Sequence, residues 1–349
     1  MPHECGAHGG PKVPTLRKPA DARLRGSPVR FRGNGGPAHN ASEKLKPNCL
    51  AYLGLQFATK SSSVCDLERT SVSDHYIFDA FALVPSQSTG EHVFDFLGTA
   101  TRVAFKQAWA DHALPPGRMV SPGRPPKNEH YLDWIGVLTA VDRAQGVFRM
   151  AELGAGWAPW LVRGALAARQ RRVLAVELLA VEADPTHYAW TLQHFRDNGL
   201  DPAAHHILHG AVADMPGKLR FPVIEDPDID YGASLAAATR AGRTIEVTAY
   251  TLSDVLARFT GPIDFLHVDI QGAEYKALPP AMVELTQNVK SIMVGTHQAD
   301  ALHDGLVEVL REAGWREVFA LGRNRIHVTP WGKIAINDGF LLFDNPKFM

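Results

Sequence analysis

Apolar and polar residues change their pattern near residue 127 of the 349-residue chain. Before this point the apolar positions follow no sustained period. After it, short apolar runs alternate with segments in which apolar residues recur every three or four positions. The runs are typical of buried strands, and the longer period is typical of helices with one apolar face. The sequence therefore predicts an α/β domain over residues 127–349.

The helical period recurs in five segments of this domain. Two of them start at a proline, which is tolerated in the first turn of a helix because its missing N–H has no partner there. Gly199 is expected to close the third helix in a left-handed conformation, and Thr251 or Ser253 to cap the fourth. The predicted helices are His130–Gln145, Pro159–Arg169, Pro185–Asn198, Leu252–Phe259 and His303–Ala313.

The strand-like runs lie between these helices. Regular alternation of apolar strands with helices is typical of a mostly parallel sheet whose two faces are both covered. The expected fold class is therefore a doubly wound, Rossmann-like α/β sheet. The predicted strands are Phe148–Leu153, Leu178–Glu182, Ile207–Val212, Ile263–Ile270, Ser291–Gly295, Trp315–Leu321 and Gly339–Phe343.

The chain before residue 127 divides into two parts. Residues 1–47 are rich in Gly, Pro, Lys and Arg, a composition that predicts a disordered tail, with weak binding to an anionic partner as the alternative. Residues 48–126 mix short apolar runs with Pro/Gly loops and are expected to form a cap or lid. Tyr76–Val84 and His92–Leu97 are its predicted strands.

Composition narrows the possible partners. A net charge of −1 does not favour binding of nucleic acid through a broad basic face. We find no apolar run long enough to span a membrane, and the N-terminus lacks the pattern of a secretory signal. The three cysteines, Cys5, Cys49 and Cys65, are far apart, which fits a reducing cytoplasm better than a disulfide framework.

A glycine-containing turn links the first strand to the second helix, in the sequence Ala151-Glu152-Leu153-Gly154-Ala155-Gly156-Trp157. Glycines there let the backbone approach a ligand, and the helix start offers free N–H groups. We expect Glu152, Gly154, Ala155 and Gly156 to contact a cofactor, although a purely structural tight turn is the alternative. Pro159 stands where the dinucleotide fingerprint has its third glycine, which argues against NAD.

The next strand also ends in an acidic residue, within Val181-Glu182-Ala183-Asp184-Pro185. A carboxylate at this place can accept hydrogen bonds from both ribose hydroxyls of an adenosine ligand. Glu182 and Ala183 are therefore predicted to bind the cofactor. Glu177 is a rival in the same run, and a solvated acid at a strand end is the other alternative.

A third segment carries the most specific motif of the chain. It reads Asp269-Ile270-Gln271-Gly272-Ala273-Glu274 after a strand, and the chain closes with Asp338-Gly339-Phe340-Leu341-Leu342-Phe343. Together with the acidic end of the second strand, these motifs resemble the FkbM family of methyltransferases over roughly residues 130–345. That family usually has Asp-x-Glu-Gly-Ala-Glu, so Gln271 removes one carboxylate.

The resemblance implies a class I methyltransferase fold, S-adenosylmethionine as methyl donor, and a hydroxyl of a sugar or natural product as acceptor. In that layout Glu152 lies near the ammonium group of the donor, and Ala211 and Val212 flank its adenine. Asp269 lies nearest the methionine moiety or the acceptor.

Three residues near the strand ends are candidates for catalysis. His297, in Val294-Gly295-Thr296-His297-Gln298, is the first choice for a general base, and Asp269 is the second candidate. His267 lies two positions before Asp269 and therefore on the same face of its strand. A hydrogen-bonded core histidine is the alternative for His267, and a structural loop histidine for His297.

Several questions stay open at this level. A divalent metal held by Asp269, His297 and a further oxygen is possible but not favoured, because no tight ligand spacing supports it. A non-catalytic adenosyl-ligand binder and an N-methyltransferase acting on a small molecule are the alternatives. A nucleic-acid methyltransferase is disfavoured, since Asp269-Ile270-Gln271-Gly272 stands where an Asn/Asp-Pro-Pro-aromatic motif is expected. The oligomeric state is undetermined.

The walls of the acceptor pocket are the least defined part of the prediction. They are expected to come from the segment before residue 127 and from residues 214–243, whose acidic side chains either meet a polyol or are solvated. Tyr131 and Trp134 could cover the pocket or pack within their helix. Trp157 and Trp160 are expected to pack the helix that follows the glycine turn.

Overall fold

The structure is a computed structural model that describes residues 74–171, 175–239 and 242–349. The predicted tail over 1–47, and the start of the predicted cap, lie outside the described residues. The helices are α1 (His130–Arg143), α2 (Pro159–Gln170), α3 (Pro185–Asp197), α4 (Leu252–Leu256), α5 (Glu274–Ala277), α6 (Met282–Asn288) and α7 (Asp300–Glu312).

The strands follow the same numbering along the chain. They are β1 (Ser86–Gln87), β2 (His92–Phe94), β3 (Ala100–Arg102), β4 (Met119–Val120), β5 (Val147–Leu153), β6 (Ala175–Glu182), β7 (His206–Val212), β8 (Gly217–Pro222), β9 (Thr244–Tyr250), β10 (Phe265–Val268), β11 (Ser291–Thr296), β12 (Arg316–Leu321), β13 (Arg325–Thr329), β14 (Gly332–Ile336) and β15 (Gly339–Asp344).

One large sheet organises the described residues. Its nine strands there lie in the order β12-β15-β11-β10-β5-β6-β7-β9-β8. The strands from β11 to β9 pair in parallel, whereas β15 is antiparallel to both β11 and β12, and β8 is antiparallel to β9. The chain winds outward from β5 through β6 and β7, and from β10 to β11 in the other direction. This is the predicted doubly wound, mostly parallel sheet, and its switch point lies between β5 and β10.

Helices cover both faces of the sheet, because strand residues on alternate sides are apolar. Phe148 and Met150 of β5 pack with α1, α2 and α3, while Ala151 and Leu153 pack on the opposite side with α4, α6 and α7. The predicted helix ends are confirmed where local chemistry defines them. Gly199 has φ +66° after α3, and Thr251 forms a capping box at the start of α4.

The segment before α1 packs against this core. The prediction of a strand over Tyr76–Val84 is wrong, because Tyr76–Ala80 is a 3₁₀ helix. Its turn buries Ile77 and Phe78 together, and the Phe78 ring stacks on Tyr131 of α1 at 5.0 Å between centroids. The second predicted strand, His92–Leu97, is confirmed in part, as β2 pairs with β3 in a short hairpin.

A buried ion pair joins this segment to α2. Nε of Arg163 lies 3.0 Å from an oxygen of Asp95, just after β2. The guanidinium carbon of Arg163 lies 4.7 Å and 4.5 Å from the ring centroids of Trp134 and Trp160, between which it is held. This buried ion pair therefore attaches the predicted cap to α2.

Several elements were not predicted from the sequence, among them β9, α5 and α6. The polar stretch 214–243 contains β8, which extends the sheet beyond β9, and β13 with β14 form a separate hairpin. In the hairpin, Ile334 and Ile336 of β14 are buried, whereas Ile326 and Val328 of β13 are exposed. No helix among the described residues is long and apolar enough to cross a membrane.

Candidate functional site

A cavity of about 390 Å³ opens at the switch point of the sheet, where the carboxyl ends of β5, β6, β7 and β10 meet. Ligands of doubly wound sheets bind in this crevice. The strand-end residues that line it include all the predicted cofactor contacts: Glu152, Gly154, Ala155, Gly156, Glu182, Ala183, Ala211, Val212 and Asp269. The fold thus brings together residues that are up to 117 positions apart, from Glu152 to Asp269.

The glycine turn is held against the end of β10. Gly154 has φ +74°, and a Cβ atom built on it would lie 1.9 Å from the main-chain oxygen of Asp269. Gly156 has φ +59°, and its Cβ would lie 3.7 Å from the Tyr231 ring. Gly154 is therefore required by chain packing itself, while Gly156 faces the cavity beneath an aromatic ring.

Glu152 is buried at the floor of the cavity. Its carboxylate accepts backbone hydrogen bonds from Trp160 at 3.4 Å and Leu161 at 2.9 Å, in the first turn of α2. Burial raises the pKa of Glu152 to about 7. The side chain is thus held in place by the helix start, and a cation bound beside it would favour its ionised form.

Glu182 bridges the glycine turn and the start of α3. One of its oxygens accepts the N–H of Gly156 at 2.7 Å, and the other accepts the N–H of Asp184 at 2.7 Å. Burial raises the pKa of Glu182 to about 7. Its rival Glu177 lies near the other end of β6 and binds Nε of Arg149 at 2.8 Å. Only Glu182 lies at the cavity, because the two residues are at opposite ends of the strand.

The far end of the cavity beyond Glu182 is apolar. Ala183 and Ala211 form a cluster there with Phe221 of β8, and Ile224 and Leu235 pack against it. The last three come from the stretch 214–243, so this stretch supplies one wall of the cavity. Its acidic residues Glu225, Asp226 and Asp230 are exposed and do not line it.

Tyr231 closes the cavity over the glycine turn. Its ring stacks on His187 at 4.4 Å with an interplanar angle of 4° and meets Trp157 edge-on at 4.9 Å. Its hydroxyl donates to the main-chain oxygen of Phe105. Tyr231 belongs to the stretch 214–243 that was expected to help form the acceptor pocket, but its stacking on His187 was not predicted, since no local pattern marks a loop tyrosine that packs on a distant helix.

The opposite end of the cavity carries a chain of ionisable groups. His297 Nε2 lies 3.2 Å from Asp269 Oδ1, and His297 Nδ1 lies 3.3 Å from Glu274 Oε1. Burial opposes protonation of His297, but hydrogen bonds to the two carboxylates prevail and raise its pKa to about 10. The imidazole is consequently protonated at neutral pH, with both nitrogens engaged.

This geometry argues against the predicted role of His297 as general base. A protonated ring has no lone pair to accept a proton, and His297 lies behind Asp269 rather than among the described residues that line the cavity. Burial favours the neutral form of Asp269, yet the hydrogen bond and charge of His297 outweigh it and hold the pKa of Asp269 below its ordinary value. His297 therefore keeps Asp269 ionised.

His267 lines the cavity, but one of its nitrogens faces the core. Nε2 lies 3.1 Å from an oxygen of Asp133 on α1. Tyr131 and Trp134, which could have covered the pocket, are buried in the core instead, where Tyr131 accepts the N–H of His75. Trp160 does line the cavity, so its role is wider than the helix packing predicted.

Comparisons with known proteins agree with the motifs. The profile described as "Methyltransferase FkbM domain" matches residues 164–317. A protein of Jannaschia sp. (strain CCS1), "Putative methyltransferase", is 32% identical over 225 residues, which are 61% of this chain and 78% of the relative. The chain belongs to the FkbM family of methyltransferases.

Two methyltransferases are among the solved structures that the comparison matches. The FkbM methyltransferase of Methylobacillus flagellatus KT has 14% identity and a TM-score of 0.36, over 58% of this chain and 45% of that one. Precorrin-6y C5,15-methyltransferase of Geobacter metallireducens GS-15 has 12% identity and a TM-score of 0.35, over 61% and 86%. The strand order and the antiparallel β15 give this FkbM methyltransferase its class I, Rossmann-like architecture.

The departure from the family motif at Gln271 has a local function. Gln271 takes φ +52° and donates from Nε2 to Asp269 Oδ1 at 3.0 Å. Glu274, the last residue of the motif, accepts the N–H of Gly272 at 2.8 Å and that of His297 at 3.1 Å. In this FkbM methyltransferase the amide thus adds a neutral donor to Asp269, where a carboxylate would have repelled it.

Asp338 is a half-exposed carboxylate that lines the cavity. Its side chain is 48% exposed, and its Oδ2 lies 4.0 Å from His297 Nε2. Within the described residues nothing donates a hydrogen bond to it. Burial and the nearby carboxylates of Asp269 and Glu129 raise the pKa of Asp338 above its ordinary value. The sequence pointed to Asp338 only as part of the closing motif.

The described part of the chain contains no arrangement of ligands for a metal ion. No group of three or more His, Cys, Asp or Glu side chains there is placed to hold an ion. Asp269 and His297, the two predicted metal ligands, bond to each other instead.

Proposed function

We propose that this FkbM methyltransferase transfers a methyl group from S-adenosylmethionine to a hydroxyl group of a sugar or another natural product. The observation that carries the proposal is the cavity at the switch point. It is apolar at one end, has Glu182 and the glycine turn at its middle, and ends at Asp269 and Asp338. We place this chemistry in the cytoplasm, as the cysteine usage suggests.

The lining fits the parts of the donor in order. Ala183, Ala211 and Phe221 offer an apolar slot for adenine, and the carboxylate of Glu182 is placed for the ribose hydroxyls. Glu152 is placed for the ammonium group of the methionine moiety, since its buried carboxylate gains from a cation beside it. When bound, S-adenosylmethionine supplies a methyl group activated by its sulfonium.

The acceptor end offers a base of suitable chemistry. An alcohol becomes a better nucleophile when a positioned group takes its proton, an effect of about 10²–10⁴ in rate. Asp338 has an accessible carboxylate and a pKa that is raised by burial and by Asp269 and Glu129, so it accepts a proton more readily than Asp269 does. We therefore assign Asp338 as the proton acceptor, and Asp269 as a fixed negative charge that orients the acceptor.

N-methylation of a small molecule is the second candidate. Its supporting observation is that three carboxylates, Glu129, Asp269 and Asp338, line the same end of the cavity. Such a set would also attract an ammonium group. The carboxylate of Glu129 is partly occupied within the protein, because it accepts two hydrogen bonds from Asn337 at 3.0 and 3.2 Å.

The test offers methyl-labelled S-adenosylmethionine together with panels of neutral sugars and polyols, amines, and carboxylic acids. We expect labelled methyl ethers among the sugars or polyols, identified by mass spectrometry. Label found only in amines would favour the second candidate, and binding of the donor without any transfer would favour a non-catalytic binder. Glu225→Gln, at an exposed acid outside the cavity, is the control for Asp338→Asn.

A further inference from the structure

Two imidazoles share one buried carboxylate beside the cavity. Asp133 Oδ1 lies 3.1 Å from His267 Nε2, and Asp133 Oδ2 lies 3.2 Å from His130 Nδ1. The side chain of Asp133 is only 3% exposed. Both histidines line the cavity at the end that holds Glu152, although one belongs to β10 and the other to α1.

The second nitrogen of His267 is buried without a partner. Because an ionised carboxylate only accepts hydrogen bonds, Nε2–H of His267 must donate to Asp133. Nδ1 then lies on the other side of the ring, and no described residue forms a hydrogen bond with it. Buried polar atoms in native proteins are nearly always paired, so this atom indicates a partner that comes from outside the chain.

The carboxylates around His267 favour its protonated form. Burial lowers the pKa of His267, but the hydrogen bond and charge of Asp133, with Glu152 and Asp269 nearby, raise it above its ordinary value. When the ring is protonated, both nitrogens carry hydrogen, and Nδ1 then offers a charged N–H for which a carboxylate is the strongest acceptor.

This end of the cavity carries both acidic and basic side chains. Glu152 and Asp269 are acidic, while His130 and His267 are basic, and all four line it. An α-amino acid group, with its ammonium and carboxylate on one carbon, has the matching pair of charges. A purely structural His267–Asp133 pair would account for Nε2, but it would leave Nδ1 buried and unpaired.

We propose that His267, oriented by Asp133 and assisted by His130, binds the α-carboxylate of the methionine moiety of S-adenosylmethionine. This inference rests on the proposed function, because it assumes that the donor occupies the cavity. It assigns the ammonium to Glu152 and the carboxylate to the imidazoles, and His267 is the direct neighbour of Glu152 on the adjacent strand. His267 is thus a binding residue rather than the catalytic one that its place beside Asp269 suggested.

The test compares two ligands that differ by the carboxylate alone. Titration calorimetry measures the affinity of the full-length protein for S-adenosylmethionine and for decarboxylated S-adenosylmethionine, which keeps the ammonium, sulfonium and adenosine. We expect the wild type to prefer the first ligand about tenfold or more. His267→Ala should lose this preference by weakening S-adenosylmethionine alone, while His327→Ala, at a histidine outside the cavity lining, should keep it.

A second variant, Asp133→Asn, tests the inference independently in case His267→Ala does not fold. Asp133→Asn keeps the shape of the partner but removes its charge, and it should reduce the preference for the carboxylate with a circular dichroism spectrum like that of the wild type. Equal affinities of the wild type for the two ligands, or equal losses of both in His267→Ala, would overturn the inference and leave the proposed function standing. A wild type that binds neither ligand nor S-adenosylhomocysteine would overturn both.

Discussion

The main-chain oxygen of Asp269 lies against the Cα of Gly154 so closely that a Cβ atom there would be 1.9 Å from it. This contact joins the ends of β5 and β10, the two strands on either side of the switch point. The glycine turn and the acidic end of β10 therefore form one unit, and the width of the crevice depends on their packing.

Replacement of Gly154 should consequently destabilise the fold. Gly154→Ala adds a clash with main chain to the cost of a left-handed conformation, which is itself about 1–2 kcal/mol for an L residue. The matched control is Gly156→Ala, which has the same type of φ but meets only the Tyr231 ring at 3.7 Å. Denaturant unfolding should show a larger loss for Gly154→Ala. Equal losses would mean that the contact with Asp269 is not decisive.

Glu182 should account for a large part of the affinity for the donor. Hydrogen bonds from ribose hydroxyls to a charged carboxylate contribute about 1.5–3 kcal/mol, so Glu182→Gln should weaken binding of S-adenosylhomocysteine about tenfold or more in calorimetry. Glu177→Gln, which loosens the pair with Arg149 at the other end of β6, should leave that affinity unchanged. A comparable loss in both variants would contradict the assignment.

Binding of the donor should depend on pH around neutrality. Burial raises the pKa values of Glu152 and Glu182 to about 7, and each is proposed to bind its part of the donor as a carboxylate. Affinity for S-adenosylhomocysteine should thus rise as pH increases through about 7 and level off above it. An affinity that is flat between pH 6 and 8 would show that neither group titrates on binding.

The same two groups should make the ligand-free protein less stable as pH rises. Their folded pKa of about 7 exceeds the ordinary 4.5, so between these values the folded state binds more protons than the unfolded state. Their contribution to the free energy of unfolding therefore falls with increasing pH across this window. The free energies of unfolding measured without ligand and with saturating S-adenosylhomocysteine should therefore differ most at the upper end of this pH window.

His297 should affect stability in the same direction but at higher pH. Its folded pKa of about 10 lies above the ordinary 6.5, so its contribution to stability is complete below pH 6.5 and is lost as pH rises through 10. The difference in unfolding free energy between wild type and His297→Gln should shrink over this range. A difference that does not change with pH would mean that the contacts with Asp269 and Glu274 do not depend on charge.

Rate measurements should show whether Asp338 or His297 acts as the general base. With an acceptor found in the screen, Asp338→Asn should reduce turnover about 10²–10⁴-fold and leave the affinity for S-adenosylhomocysteine intact. In the wild type the rate should fall at low pH as Asp338 becomes protonated. His297→Gln removes a nearby cation, so this fall should move to higher pH but persist; its disappearance would restore His297 as the base.

Much of the fold was predictable because the signals are local. The helical period of α1, α2 and α3 reflects burial of one face, and each helix is found within one or two residues of its predicted ends. The acidic ends of β5 and β6 could be assigned for the same reason, since a carboxylate after an apolar run marks a strand end. Gly154 and Gly156 were recognised from their spacing alone.

The errors have a common cause in contacts between distant segments. Ile77 and Phe78 lie in a 3₁₀ turn because the apolar surface of α1 buries both side chains. No property of residues 76–84 reveals that surface. The cavity contact of Tyr231 depends on His187 and Phe105, and these meet only after β7 and α3 have packed.

By itself, the sequence determined the helices α1, α2 and α3, most strands of the parallel sheet, and which acidic and glycine residues stand at their ends, because periodicity and turn chemistry act over a few residues. Only the tertiary structure decided the protonation and the use of those side chains. His297 is a cation because Glu274 and Asp269 enclose it, and His267 is fixed by Asp133 from a helix 134 positions away. Coulombic and hydrogen-bond energies depend on distance in space, which strand order sets and sequence separation does not.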